Sequence, residues 1–268
     1  MAYAQGNRRG GFKLLPILLF GGYFLWYWFS NQSAVPLTGR TQLVDITRDQ
    51  EMALGLQAYR EVLTQEKVVG QGRLNDQVRQ IAVRLIEAVR KLDPKADPGF
   101  DWEVNVIESQ QANAFAMPGG KIAVYTGILP ITANTDGLAA VMGHEIAHAI
   151  ARHGAERMAY QKLVQMGSLA AGMSISDMDP STQRTVMGAL GAGTKFGVLL
   201  PFSRDHESEA DHLGLMFAAA ACFDPREAPK LWERMAAASK GAPPEFSSTH
   251  PSHDTRIRQL NEWMPEAL

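Results

Sequence analysis

An apolar helical run from Leu138 to Arg157 carries His144, Glu145 and His148 in its interior. No wide polar face is left for this helix: Ala139, Ala140, Val141, Met142, Gly143, Ile146, Ala147, Ala149 and Ile150 surround the three polar residues. A helix apolar all round is a buried helix. Histidines four positions apart project within about 40° of each other, so both imidazoles can grip one metal ion. Glu145 lies about 100° round from His144, within reach of a water at that metal. Two solvated histidines on a surface helix would be the bland alternative, but buried histidines beside a buried carboxyl need partners, and a metal supplies them. The chemistry this pattern points to is zinc-dependent hydrolysis. Asn134, Thr135 and Asp136 offer the helix an N-cap.

Zinc in a hydrolytic site takes a third protein ligand and keeps one position open. The extended HExxHxxGxxH form is excluded, because Ala151 and Gly154 stand at its last two fixed positions. His153, about 140° off the ligand face of a continuous helix, reads as a surface residue or a support behind the ligands. A second helix opening near Ser203 and running to about Ala221 presents Glu207 and Asp211 on one face, one to bind metal and one to orient an imidazole. His206, Glu209 and His212 compete with Glu207 on composition, and an acidic helix start favoured by the dipole is the plain alternative.

Three blocks occur in order: Asn113-Ala114-Phe115-Ala116-Met117-Pro118-Gly119-Gly120, the His144–His148 helix, and Ser203-Arg204 through Glu207-Ser208-Glu209-Ala210-Asp211. Together they resemble the zinc metalloendopeptidases of the HExxH-plus-ExxxD (gluzincin) type. These include bacterial HtpX, the periplasmic proteases LoiP and BepA, the mitochondrial inner-membrane quality-control protease and the CAAX prenyl endopeptidase. The resemblance spans roughly residues 45 to 262. It implies zinc, one ion per chain, on His144, His148 and Glu207, with Glu145 as general base and Asp211 as a supporting carboxylate. It also implies that Asn113, Ala114, Phe115 and Ala116 form an edge strand to which a peptide substrate adds; an ordinary hairpin with a solvent edge is the alternative. His250 resembles the family's His-Pro segment. It is expected either to stabilise the oxyanion or to bind zinc in a resting state, with Arg256 supporting the ligand carboxylates.

The expected fold is α+β and mostly helical: a zincin-like domain with a small sheet over the HExxH helix, plus an N-terminal membrane anchor helix. Arg8, Arg9 and Lys13 precede an uncharged, aromatic-rich stretch from Leu14 to Phe29. It is a little shorter than the roughly 20 residues a spanning helix needs, but a snorkelling Lys13 and the polar residues after it extend it. Positive charge ahead of the segment places the N-terminus inside. The expected organisation is a cytoplasmic N-terminus (1–13), an anchor or signal-anchor (14–30), a linker (31–44) and a peptidase domain (45–268). The expected setting is a bacterial inner membrane with a single pass and a periplasmic catalytic domain, or secretion to the periplasm after signal cleavage; a mitochondrial membrane is the further alternative, weighed down by the lack of a long Arg/Ser-rich leader.

Helices are expected from about residue 49 to Leu63, from Leu74 to Leu92 and from Pro225 to Ser239, with a strand at Trp102–Ile107 and a hairpin over Asn113–Gly127. The Gly-, Ala- and Met-rich stretch from Tyr160 to Pro201, broken at Asp177–Pro180, reads as core helices; a lid or a membrane-dipping hairpin is the alternative. With 268 residues and a net charge of −2, the chain is long enough for one sizeable domain and lacks the basic surface of a nucleic-acid binder. Its single cysteine, Cys222, has no internal partner and reads as a small buried residue. Expected partners are unfolded or misassembled protein substrates and, through residues 14–30, a membrane; oligomeric state is not legible. The competing functional class is a chaperone or assembly factor whose zinc site is closed or latent.

Overall fold

A computed structural model describes residues 11–195, 199–238, 250 and 253–268. The elements follow the chain as α1 (Leu15–Ser30), β1 (Gln32–Ala34), β2 (Thr41–Leu43), α2 (Arg48–Gln65), α3 (Arg73–Leu92), β3 (Glu103–Ile107), β4 (Ala114–Met117), β5 (Lys121–Tyr125), α4 (Leu129–Thr132), α5 (Thr135–Ile150), α6 (His153–Ser174), α7 (Pro180–Thr194), α8 (Leu200–Ala220), α9 (Glu227–Ala238) and α10 (His253–Ala267). The protein is mostly helical with small sheets, and it divides into two compact units.

The larger unit comprises residues 34–40, 46–155 and 204–268. Its three-stranded sheet has the order β3-β5-β4, with β3 parallel and β4 antiparallel to β5. All five residues of β5 are buried, as a central strand requires. The expected hairpin is β4–β5, in the register Ala114↔Val124 to Met117↔Lys121. β4 is an edge strand, and no strand among the described residues pairs with its outer side. The apolar stripe of α3 (Val78, Ile81, Leu85, Ile86, Val89) enters the same core as Val106, Val124, Val141 and Ile146.

Helix α5 starts where Asn134 caps it, its side chain accepting from the Gly137 N–H at 2.7 Å. From Gly137 to Ile150 every residue is buried except His148. The expected single helix to Arg157 is instead two helices. Arg152 adopts a left-handed φ of 61°, held by an ion pair to the buried Glu51 at 2.6 Å and a bond to the Ile46 carbonyl. That residue ends α5, and His153 begins a separate helix, α6. Cys222 is exposed rather than buried. It occupies the left-handed position of a Schellman cap on α8 (φ 60°): Phe223 N–H bonds Ala218 and Cys222 N–H bonds Ala219. The cap buries Phe223 and turns Cys222 outward.

The smaller unit comprises residues 1–33, 41–45 and 156–203. Its core is Tyr27, Leu43, Ala159 and Leu163, flanked by Tyr23, Phe24, Trp28 and Tyr160. Asp45 ties it together, receiving Lys162 Nζ at 2.6 Å. Of the stretch read as core helices, α6 buries Ala159, Leu163 and Ala170, whereas α7 buries nothing. Helix α1 has 16 residues, about 24 Å at 1.5 Å per residue, against roughly 30 Å of hydrocarbon. Among the described residues no helix is long and apolar enough to cross a membrane.

Candidate metal centre and active site

The backbones of α5 and α8 meet at two glycines. A Cβ on Gly214 would lie 2.7 Å from the His144 backbone nitrogen, and one on Gly143 would lie 3.0 Å from the Gly214 carbonyl oxygen. This close crossing sets the histidines of α5 against the acids of α8. His148 Nε2 lies 3.1 Å from His144 Nε2 and 3.5 Å from Glu207 Oε1. His144 Nε2 is 3.4 Å from Glu207 Oε2. His250 joins them, its Nδ1 2.8 Å from Glu207 Oε2 and 3.2 Å from His144 Nε2. One ligand atom from each of His144, His148, Glu207 and His250 lies within 4.8 Å of all the others. Three imidazoles and one carboxylate crowded at such distances are a donor set that fits a divalent cation.

Glu145 is 4 % exposed, and its Oε1 has no hydrogen-bond partner. The Ala116 N–H, on the outer side of β4, acts to lower the pKa of the same carboxyl group. Burial raises the Glu145 pKa, with His250 and His144 opposing. An orphaned buried carboxylate oxygen facing the donor cluster, 3.4 Å from His250 Nε2, is suited to hold a water there.

The supports behind the cluster differ from ring to ring. His144 Nδ1 lies 3.1 Å from Asp211 Oδ1. Arg256 lies across both acids, Nε 2.6 Å from Asp211 Oδ2 and Nη1 2.9 Å from Glu207 Oε2, with its guanidinium 3.5 Å over the Trp232 ring. Burial alone would discharge His144, His148, Glu207 and Asp211. In His144 the Asp211 and Glu207 carboxylates outweigh burial and the Arg256 charge, and push the pKa up to about 9. In His148 burial wins and the pKa falls. Glu207 and Asp211 are held below the usual carboxylate range against burial, Glu207 by its histidines and Asp211 by Arg256 and His144.

The other histidines and acids of this region do not join the four-residue cluster. His206 stacks on His153, with centroids 4.1 Å apart and planes at 11°. Glu209 bonds His153 Nε2 at 2.9 Å, and His212 pairs with Glu266 at 3.0 Å. His153 is 2 % exposed, so it is not a surface residue. The 140° offset assumed a continuous helix, and the turn at Arg152 removes that assumption. In β4 the side chains alternate: Phe115 packs toward Tyr59 and Tyr125, while Ala114 is buried in the main core and Ala116 packs against it. Asn113 Oδ1 accepts the Ala114 N–H at 2.9 Å. The remainder of the His-Pro segment, 247–249 and 251–252, lies outside the described residues. Reading by motif missed the glycine crossing, Trp232 and the His153–Glu209 pair. The signals were present: Gly143 directly precedes His144, and Gly214 lies two turns after Glu207 on the helix.

Two histidines of one buried helix, met by a carboxylate from a second helix and flanked by an unsatisfied glutamate, define the class of HExxH metallopeptidases. Residues 72–264 match the family model described as peptidase family M48, and the chain belongs to that family. It is a metalloendopeptidase. A relative from Schizosaccharomyces pombe, named a mitochondrial metalloendopeptidase OMA1, is 39 % identical over 246 residues, covering 90 % of this chain and 69 % of its own. Its namesake from Saccharomyces cerevisiae is 35 % identical over 268 residues, covering 93 % and 74 %. A beta-barrel assembly-enhancing protease from Yersinia pestis is 28 % identical over 231 residues, covering 84 % and 46 %. These findings overturn the expected location in a bacterial inner membrane with a single pass and a periplasmic domain. The fungal relatives matched along most of the chain carry mitochondrial names, and among the described residues no helix is long and apolar enough to cross a membrane. The charge rule that suggested the location orients an apolar segment; it carries no information about organelle.

Proposed function

We propose that the protein is a zinc-dependent endopeptidase in which His144, His148 and Glu207 hold the ion and Glu145 is the general base. The observation that carries this reading is the donor cluster beside the unpartnered Glu145 Oε1. Two nitrogens and one carboxylate suit zinc, which when bound polarises a carbonyl and lowers the pKa of water toward 7. Glu145 takes the proton of the attacking water and hands it to the leaving amine. Its buried position, which raises its pKa, makes it a stronger base for taking that proton. Asp211 accepts from His144 Nδ1 and fixes that ring, while Arg256 keeps Asp211 charged and holds Glu207 in place.

Ala114 and Ala116 lie on the open edge of the sheet, and the Ala116 N–H reaches Glu145. An extended peptide pairing with residues 113–116 would run past the base. Only an unfolded or loop segment offers an unpaired strand, so substrates are unfolded or misassembled proteins. The test is cleavage of unfolded casein with metal analysis alongside. Glu145→Gln is expected to keep zinc and lose at least about 100-fold in rate, the scale of a general base. Glu207→Ala is expected to lose zinc as well. Full zinc in Glu207→Ala would reassign the third ligand, and undiminished cleavage by Glu145→Gln would remove the base from its role.

The position of His250 supports a second reading of the resting state. As a fourth donor, 3.2 Å from His144 Nε2, it would close the site in the manner of a structural zinc centre. His250→Ala then raises cleavage. If His250 instead steadies the oxyanion, the same change lowers kcat with zinc retained.

A further inference from the structure

We propose that His153 is a positioning residue of the metal centre: it fixes the tautomer and ring orientation of His148 and links that ring to Glu209. The inference rests on the metal-binding reading above. His148 Nε2 faces the donor cluster, 3.1 Å from His144 Nε2 and 3.5 Å from Glu207 Oε1. A ring that gives its Nε2 lone pair to a cation carries its proton on Nδ1. That Nδ1 lies 2.8 Å from Nδ1 of His153. Two imidazole nitrogens this close share one hydrogen, and it belongs to His148. His153 is therefore the acceptor at Nδ1 and holds its own proton on Nε2. There it donates to Glu209 Oε2 at 2.9 Å.

The chain of bonds ends on fixed groups. Glu209 also receives Arg40 Nε at 2.8 Å and the Thr38 hydroxyl at 2.6 Å. The bonds from His148 through His153 to Glu209 run in a single direction, so only one tautomer of His148 satisfies them. The His206 ring stacked on His153 holds the plane of the relay. The two metal-facing histidines are thus steadied by different means. His144 meets a carboxylate directly at Asp211, whereas His148 reaches one through a second imidazole. This arrangement keeps the Glu209 charge one ring away from the cluster, which already contains the Glu207 carboxylate.

His153→Phe and His153→Asn in the full-length chain test the proposal. Phenylalanine keeps the shape and the stacking but has no acceptor; the asparagine Oδ1 stands at the same branch as the histidine Nδ1. Zinc affinity, read by competition with a chromophoric chelator, is expected to fall roughly 10–100-fold in the Phe variant, the usual effect of removing such a support. The Asn variant is expected to recover most of that loss. The visible spectrum of the cobalt-substituted Phe variant should differ from wild type, and that of the Asn variant should return toward it. Thermal melts of the metal-free proteins report folding separately. Wild-type zinc affinity in the Phe variant overturns the inference alone. Equal losses in Phe and Asn, tracking a lowered metal-free melting temperature, also overturn it, because His153 would then only support the fold. A folded wild-type protein with no zinc affinity overturns the reading of the site and this inference together.

Discussion

Arg256 shows how much one buried side chain can organise. It is 2 % exposed, yet three of its nitrogens have carboxylate partners and its face lies on Trp232. A planar fork can serve two carboxylates and a ring at once; a lysine ammonium cannot. Arg256→Lys keeps the positive charge but leaves oxygens of Glu207 and Asp211 short of donors. The expected cost is on the order of 1–3 kcal/mol per unsatisfied buried group. Urea melts of the metal-free protein measure it, and zinc occupancy should drop in step because both acids lose their fixed orientation. Unchanged occupancy with unchanged stability would show that Arg256 merely fills space. The resemblance suggested Arg256 as a support for the acids. Trp232 gave no such signal, since an aromatic on the apolar face of a helix reads as core. The same limit hid Glu209, whose partner His153 is brought back only by a left-handed residue at Arg152. Backbone conformation of that kind is set by a distant contact to Glu51, which spacing in the sequence does not express.

Helix geometry turns those residues into a site, and the Gly143–Gly214 crossing is where it is most exposed to test. Leu74–Leu92, the strand at Trp102–Ile107 and the hairpin after Asn113 were legible because amphipathic period and turn residues are local properties. How closely two helices approach is not local. It depends on which pair of small residues faces which backbone. Gly214→Ala places a methyl group 2.7 Å from the His144 nitrogen, so α5 and α8 must separate. Overpacking of this kind costs about 1–3 kcal/mol. The expected result is a lower melting temperature together with weaker zinc binding, since the ligands sit on both helices. Gly172→Ala in α6 is the control: nothing lies within 4 Å of its added Cβ. It should stabilise by up to about 1 kcal/mol through helix propensity and leave zinc binding unchanged. Equal effects of the two changes would mean that close approach of α5 and α8 is not what holds the donors together.

Across the whole molecule, the mostly helical α+β character followed from composition and period, while β1 and β2 in the stretch read as a linker did not. Nor did the smaller unit. Its α1 is apolar enough to suggest a spanning segment but has only 16 residues, and its α7 forms a regular helix while burying nothing. Hydropathy reports how apolar a segment is, not what covers it. Each unit nevertheless contains an acid whose charge supports its fold. Asp45 receives Lys162 Nζ at 2.6 Å in the smaller unit. Asp97 in the larger one receives Arg90 Nε at 2.7 Å, Trp102 Nε1 at 3.1 Å and two backbone N–H groups. Burial opposes ionisation of both, but the donors outweigh it and both pKa values are lowered. With the folded value below the unfolded one, near 4, the unfolded chain holds the proton more tightly in between. The stability these acids give is therefore complete above about pH 4 and drains away as pH falls through the folded values. Thermal melts from pH 7 downward should show a plateau and then an acid decline. In Asp97→Asn the melting temperature should be lower at pH 7, and the gap to wild type should close below about pH 4. A gap that stays constant across that range would mean that Asp97 acts through shape rather than charge.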